Sequence, residues 1–166
     1  MAWIGRLLRV VFLNALSVLL WRAIAGGLLV YTSFDKMAHP TDFWWAIKAY
    51  RILPAFALNP SVWAIPRVEL VFGGFLVLGL AMRASAVVCG GLYAVFTAAI
   101  AQALLRGLNI EDCGCGITSY EPASWGHVVL DLALLVMCAL VFLARTDRLT
   151  LDRLLSRKPP EPAAEP

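Results

Sequence analysis

Long apolar stretches, separated by short segments with charged residues or prolines, dominate this chain. A helix needs about 20 mostly apolar residues to cross the hydrocarbon core of a bilayer. Four stretches meet that length, and we predict membrane-spanning helices over residues 10–34, 62–82, 84–105 and 122–144. The pattern therefore predicts an all-α fold, an integral membrane four-helix bundle.

The first of these stretches has a second interpretation, as a secretory signal peptide. Arg6 and Arg9 precede an apolar run, and Ala23 to Ala25 offers a small-residue cleavage site. The apolar run resumes after Arg22 and continues through Tyr31, however. This continuation favours one long span.

A shorter amphipathic segment lies between the first and second spans, at residues 41–52. Phe43, Ile47 and Tyr50 recur there at helical spacing, which predicts a short interfacial helix. Three aromatic residues are predicted to anchor it at headgroup level: Trp44, Trp45 and Tyr50. Prolines punctuate the sequence that follows: Pro54, Pro60 and Pro66.

Composition supports the membrane interpretation and limits the domain organisation. Of the 166 residues, 61% are hydrophobic and 15% are charged, against about 45–50% and about 25% in soluble domains. We predict one transmembrane domain over residues 1–157 and a disordered cytoplasmic tail over 158–166, which is rich in Pro, Glu and Ala. The net charge of +3 comes without a basic stripe interleaved with aromatic residues, so we expect no nucleic-acid partner.

The distribution of lysine and arginine predicts the orientation, because cytoplasmic loops carry an excess of both residues. One side of the membrane carries most of the basic residues: Arg6, Arg9, Arg83, Arg145, Arg148, Arg153, Arg157 and Lys158. The other side carries five basic residues whose charge is offset by acidic residues. The five are Lys36, Lys48, Arg51, Arg67 and Arg106. We therefore expect a multi-pass protein of the bacterial inner membrane with both termini cytoplasmic and the loop 106–121 periplasmic.

Two of the four cysteines, Cys113 and Cys115, form a Cys-Gly-Cys pair in this periplasmic loop. Disulfides persist on the oxidising side of a membrane, yet a ring this short constrains little chain entropy. Strained, exposed disulfides tend to be the labile ones. Redox exchange is therefore favoured. Arg106 would favour the thiolate form, whereas Glu111 and Asp112 would oppose it. A soft-metal site and an inert pair remain open alternatives.

The other two cysteines, Cys89 and Cys138, lie inside the third and fourth spans at similar depth. Cys89 is about 36 Å from Cys113 if the intervening chain is helical, which argues against direct exchange. We interpret both as small buried hydrophobic residues.

Charged residues interrupt three different spans, at Arg22, Glu69 and Asp131. A charge at the bilayer centre costs at least about 2.5–3.5 kcal/mol, so these side chains should face the bundle interior and pair. We expect Arg22 to pair with Glu69 or Asp131 beneath the Cys-Gly-Cys loop, and we call this buried polar group the polar floor. Its role is either structural, or it handles protons or a quinone headgroup. His127 is one turn outward of Asp131 on the same helix face, where it is either a proton shuttle or an interface residue.

A set of short motifs also follows a recognisable order along the chain. They are Arg22…Gly27…Tyr31…Lys36…Pro40, then Phe43-x-x-Ala46-Ile47-x-x-Tyr50-Arg51-x-Leu53-Pro54, Pro66-x-x-Glu69-Leu70-x-x-Gly73, Leu78-Gly79, Arg106-Gly107 and Cys113-Gly114-Cys115. In this order and spacing, the chain resembles the MauE-type members of the DoxX-like membrane protein family. The usual CGCFG motif reads CGCGI here, which retains both thiols.

The resemblance implies a four-helix membrane protein linked to periplasmic thiol–disulfide chemistry. Members of the family often act with a thioredoxin-like partner, and the type example is required to mature the disulfide-rich small subunit of methylamine dehydrogenase. The expected function is thus electron transfer between such a partner and the membrane through Cys113 and Cys115. A quinone is the simplest membrane carrier, although no motif specifies one.

Two other functions remain open. The Cys-Gly-Cys pair suits a soft metal such as mercury or copper, which would make the chain a metal-binding or transport protein. The chain would otherwise be a non-catalytic assembly subunit that docks a periplasmic enzyme.

The charge asymmetry makes a direct prediction about topology. A reporter that works only in the cytoplasm should be active when it is fused after Ala144. A reporter that works only in the periplasm should be active when it is inserted within residues 118–122. Paired reporters that each work on one side of the membrane provide the measurement. The opposite pattern would place the Cys-Gly-Cys pair on the cytoplasmic side, and it would contradict the prediction that the pair lies in an oxidising compartment.

Overall fold

The computed structural model describes residues 14–108, 110 and 122–144. This part of the chain forms five helices: α1 (Ala15–Ala38), α2 (Pro40–Ala49), α3 (Ala55–Leu78), α4 (Met82–Leu105) and α5 (Trp125–Leu143). All but α2 are long and apolar enough to cross a membrane. The predicted all-α fold, with four long apolar helices and a short helix between the first two, is confirmed. The Cys-Gly-Cys pair and the predicted tail at 158–166 lie outside the described residues.

Two of the long helices extend beyond the stretches predicted from hydrophobicity. Helix α1 continues to Ala38. Hydrophobicity did not predict its last turn, because the buried face of the helix is polar there. Helix α3 begins at Ala55 and contains both Pro60 and Pro66. Membrane helices tolerate internal proline, since neighbouring groups satisfy the backbone carbonyls that it frees. Helix α3 ends at Leu78 and is capped by Gly79, whose φ of 74° is left-handed and therefore suits glycine.

The long helices pack principally as two pairs, α1 against α3 and α4 against α5. Two glycines allow the close approach of the first pair. A Cβ atom added to Gly26 would lie only 2.7 Å from the carbonyl oxygen of Gly73. In the second pair, a Cβ on Gly90 would lie 3.4 Å from the Cβ of Cys138. Membrane helices commonly associate through such small residues, because hydrocarbon tails give no hydrophobic force between helices.

Buried side chains form two clusters at different levels of the bundle. The larger cluster contains Cys89, Cys138 and Tyr93 together with aliphatic residues of all four long helices. Both cysteines are free thiols there, and their packing agrees with the interpretation as buried small hydrophobic residues. The smaller cluster joins Tyr50 to Ile100, Ala103 and Ile110.

Helix α2 turns an apolar face towards the bundle and an aromatic face outwards. Phe43 and Ala46 are buried, whereas Trp45 is exposed. The Trp44 ring N–H donates a hydrogen bond to Asn59 Oδ1 at 3.0 Å, which ties α2 to α3. Tyr50 is buried in the smaller cluster, so its prediction as a headgroup-level anchor is wrong.

The glycine contact between α1 and α3 gives a matched pair of variants. Gly26→Ala should lower the free energy of unfolding by about 1–3 kcal/mol, because the new methyl group overlaps the backbone of α3. Gly27→Ala is the control, since a Cβ there meets nothing within 4 Å. Thermal unfolding of both proteins in the same detergent or lipid provides the measurement. Equal stability would show that α1 and α3 do not pack through Gly26.

Candidate functional site

A buried ion pair between Lys36 of α1 and Glu69 of α3 forms the polar centre of the bundle. The Lys36 ammonium donates to both Glu69 carboxylate oxygens, at 2.7 and 2.9 Å. The two side chains are only 4% and 0% exposed. The ammonium also faces the rings of Phe43 at 5.4 Å and Phe96 at 4.9 Å, a cation–π arrangement that gains strength away from water.

Lys36 was not predicted as the partner of Glu69, because it lies beyond the stretch assigned to the first span. One signal in the sequence does identify it. The polar or small positions Arg22, Gly26, Ser33 and Lys36, with Leu29 between them, recur every three or four residues and form one face of a helix. Extending that face by one turn past residue 34 would have placed Lys36 inside the bundle.

Arg22 binds a different part of α3. Its Nε and Nη2 groups donate hydrogen bonds, both at 2.9 Å, to the carbonyl oxygens of Leu76 and Val77. Carbonyl groups in the last turn of a helix lack partners within the helix, and the helix dipole favours a cation there. A Cβ on Gly79 would collide with this guanidinium.

The predicted pairing of Arg22 with Glu69 or Asp131 is therefore wrong. Lys36, which does pair with Glu69, lies about 21 Å further along α1. Two hydrogen bonds hold the Arg22 guanidinium at the end of α3. The ion pair is formed instead by Lys36 and Glu69, and Asp131 lines a cavity together with Lys36.

A cavity of about 230 Å³ lies beside the ion pair. Its walls are mostly aliphatic and aromatic side chains from every helix except α5, which contributes Asp131 alone. The polar groups lining it are Thr32, Lys36, Tyr50, Ser61, Tyr93 and Asp131. The Tyr93 hydroxyl donates to the Ala25 carbonyl oxygen at 2.7 Å, which holds this ring in place.

Asp131 presents an unsatisfied acceptor at this cavity. Its side chain is only 5% exposed, and no hydrogen-bond donor in the described part of the chain reaches its buried Oδ2 atom. Burying a polar atom without a partner is costly. The cavity lining and the ion pair together contain two carboxylates, Asp131 and Glu69, and one ammonium, Lys36. The site can therefore accept a hydrogen bond from a bound molecule.

Two other predicted site residues, His127 and Arg106, do not line this cavity. The Nδ1 atom of His127 is 2.9 Å from the Ser124 hydroxyl at the start of α5, which places the ring at the helix terminus. Arg106 is exposed at the end of α4. Cys113 and Cys115 lie outside the described residues.

The loop that contains the two cysteines leaves and rejoins the bundle at one point. The Ala123 backbone N–H donates to the Ile110 carbonyl oxygen at 3.0 Å. Ile110 is buried in the same cluster as Tyr50 and Ile100, and both of these residues also line the cavity. The base of the Cys-Gly-Cys loop thus belongs to a packed cluster that includes part of the cavity wall.

Comparison with known proteins identifies related chains. Residues 3–144 match the family described as "Methylamine utilisation protein MauE". The chain is 34% identical over 121 residues to a methylamine utilization protein MauE of Paracoccus denitrificans, across 70% of this chain and 64% of that protein. It is 30% identical over 108 residues to a protein of the same name from Methylophilus methylotrophus, across 64% of this chain and 57% of that protein.

A third similar protein, again named methylamine utilization protein MauE, comes from Methylorubrum extorquens. It is 29% identical over 94 residues, across 57% of this chain and 50% of that protein. The matched regions therefore cover between half and 64% of these curated relatives. No solved structure matches the chain.

The buried pair predicts a pattern of single and double variants. Lys36→Met or Glu69→Leu alone should each lower the free energy of unfolding by about 3–5 kcal/mol, because each leaves an uncompensated buried charge. The double variant should recover most of that loss. Thermal unfolding of the purified proteins provides the measurement.

Lys48→Met is the matched control, because Lys48 is an exposed lysine over the rings of Trp44 and Trp45. Its stability should change by no more than about 0.5 kcal/mol. A double variant as unstable as the sum of the singles would show that the two charges do not act as a pair.

Proposed function

Because the chain belongs to the MauE family of membrane proteins, we propose that it is the membrane component of a periplasmic thiol–disulfide exchange system. Cys113 and Cys115 exchange with a thioredoxin-like protein, and the electrons pass to or from a carrier in the bilayer. The loop faces the periplasm and both termini face the cytoplasm. The proposal includes a role in methylamine utilisation, the process for which the relatives are named.

The exchange needs only the two cysteines and one partner disulfide. The thiolate of one cysteine attacks a sulfur of the partner disulfide, which forms a mixed disulfide and releases one partner thiolate. The neighbouring cysteine then attacks the mixed disulfide, closes the Cys-Gly-Cys ring and releases the partner as a dithiol. The reverse sequence reduces the ring and oxidises the partner.

The observation that carries the proposal is the position of the loop base. Ile110 belongs to the same buried cluster as two residues of the cavity wall, and Cys113 follows it by three residues, a length of chain that spans at most about 11 Å. A thiol pair this near to the cavity can exchange with a soluble protein on one side and with a membrane-soluble carrier on the other.

The soft-metal alternative has less support. A transport route would need further ligands after the entry pair, yet the described residues contain no group of three or more His, Cys, Asp or Glu side chains that could hold a metal ion. The assembly-subunit alternative requires no change in the redox state of the cysteines, and this difference separates it from the proposal.

Cysteine variants test the proposed function. Cys113→Ser or Cys115→Ser should abolish thiol exchange while the protein remains folded in the membrane, because each removes the attacking or the resolving thiol. Cys89→Ala and Cys138→Ala are the matched controls and should retain most of the exchange, since both thiols are buried among apolar side chains. Alkylation with a mass label before and after reduction counts the thiols that cycle.

The alternatives predict other results in the same measurement. A pair that stays reduced throughout would contradict thiol exchange and support the assembly subunit. Loss of exchange in Cys89→Ala or Cys138→Ala, with folding intact, would show that the buried thiols take part.

A further inference from the structure

The cavity beside the ion pair has the dimensions of a binding site for a substituted ring. Its volume is about 230 Å³, whereas an apolar cavity of about 150 Å³ is enough to bind benzene. Aromatic side chains contribute much of the wall: Phe43, Tyr50, Tyr93 and Phe96. These are suitable surfaces for a flat, apolar ring.

The cavity also opens onto a surface that faces lipid. Val95 of α4 lines the cavity and is 63% exposed on the outside of an apolar helix. Ile52 and Leu53, which precede α3, also line the cavity and are exposed. A molecule dissolved in the bilayer can therefore enter between apolar side chains without crossing the charged centre.

The polar end of the cavity supplies one acceptor and one donor. Asp131 Oδ2 has no hydrogen-bond partner in the described part of the chain. The Lys36 ammonium carries three N–H donors, and its two hydrogen bonds to Glu69 leave one donor for another acceptor. A ring that bears oxygens therefore meets a hydrogen-bond acceptor and a charged donor at the same end.

We propose that this cavity binds the ring of a quinone or hydroquinone taken from the bilayer. A hydroxyl of the reduced ring donates to Asp131 Oδ2, and a carbonyl of the oxidised ring accepts from Lys36. The apolar walls enclose the ring, and the opening at Val95 accommodates an isoprenoid tail in the lipid. A small organic cation is the other occupant that a buried carboxylate favours, but it would leave most of the apolar wall uncovered.

The choice of a quinone rests on the proposed thiol exchange, which needs a two-electron carrier in the membrane. The reaction balances without another reactant. A hydroquinone releases two electrons and two protons, and these convert the Cys113–Cys115 disulfide into two thiols. The reverse reaction takes two electrons and two protons from the thiols and reduces the quinone.

Binding can be measured on the full chain in lipid nanodiscs with decylubiquinol, decylubiquinone and methylammonium as separate probes. The ligand-dependent rise in unfolding temperature gives an apparent dissociation constant for each probe. Both ring compounds should stabilise the wild-type protein, and methylammonium should not. Stabilisation by methylammonium alone, or by none of the three, would overturn the proposal.

Two neighbouring alanines on α4 locate the site. Ala99 lines the cavity, whereas Ala98 is exposed and lies outside its lining. Ala99→Phe should weaken the binding of both ring compounds by at least about tenfold, because its ring occupies their space. Ala98→Phe should leave binding within about twofold of the wild type. Equal binding by the two variants would place the ring elsewhere.

Asp131→Asn keeps the size of the side chain, so it remains informative if Ala99→Phe fails to fold. It should weaken decylubiquinol by about tenfold, because a hydrogen bond to a charged acceptor is replaced by one to a neutral amide. Decylubiquinone has no hydroxyl to donate and should be affected less. An equal loss for both probes would contradict the assigned role of Asp131.

The same samples separate this inference from the proposed function. Quinol binding that survives in Cys113→Ser, together with thiols that never cycle in the wild type, would leave the cavity assignment standing and contradict the thiol exchange. Cycling thiols in a wild-type protein that binds neither ring compound would support the thiol exchange and contradict the cavity assignment.

Discussion

The ion pair between Lys36 and Glu69 is the interaction on which the interior of this bundle depends. Neither charge can be left alone in hydrocarbon, so the turn of α1 that carries the lysine has to face the turn of α3 that carries the glutamate. The same ammonium lies over the rings of Phe43 in α2 and Phe96 in α4, so it also contacts these two helices. One lysine side chain therefore connects residues of four helices beside the cavity.

The remaining contacts between α1 and α3 act at other levels of the same interface. Gly26 and Gly73 bring the backbones together, and Arg22 holds the last carbonyl groups of α3. Helix α4 packs mainly on α5, so the interior is divided between two helix pairs. The cavity lies where α2 covers the space between these pairs, which explains why side chains from all five helices line it.

Hydrophobicity was sufficient to predict the architecture, because a membrane-spanning helix needs a long apolar run and little else distinguishes it. It was not sufficient to predict the polar contacts. Depth alone predicts a carboxylate partner for Arg22, whereas two of its partners are backbone carbonyl groups, which no sequence pattern displays. Lys36 was placed outside the span because the apolar run stops before it, although its helical spacing from Leu29 indicates a buried position. Glu69 and Asp131 were identified because any carboxylate within a span requires a compensating contact. The cavity depends on the shape of the packed helices and had no signature in the sequence.

The hydrogen bond between Ala123 and Ile110 has a consequence for how such proteins can diverge. The two ends of the segment that carries the cysteines are joined at the bundle. The entropic cost of closing a flexible segment grows by only about 0.6 kcal/mol for each doubling of its length, so insertions between residues 110 and 123 are compatible with unchanged ends at the bundle. Natural selection can therefore change the length of this segment while the membrane body remains the same.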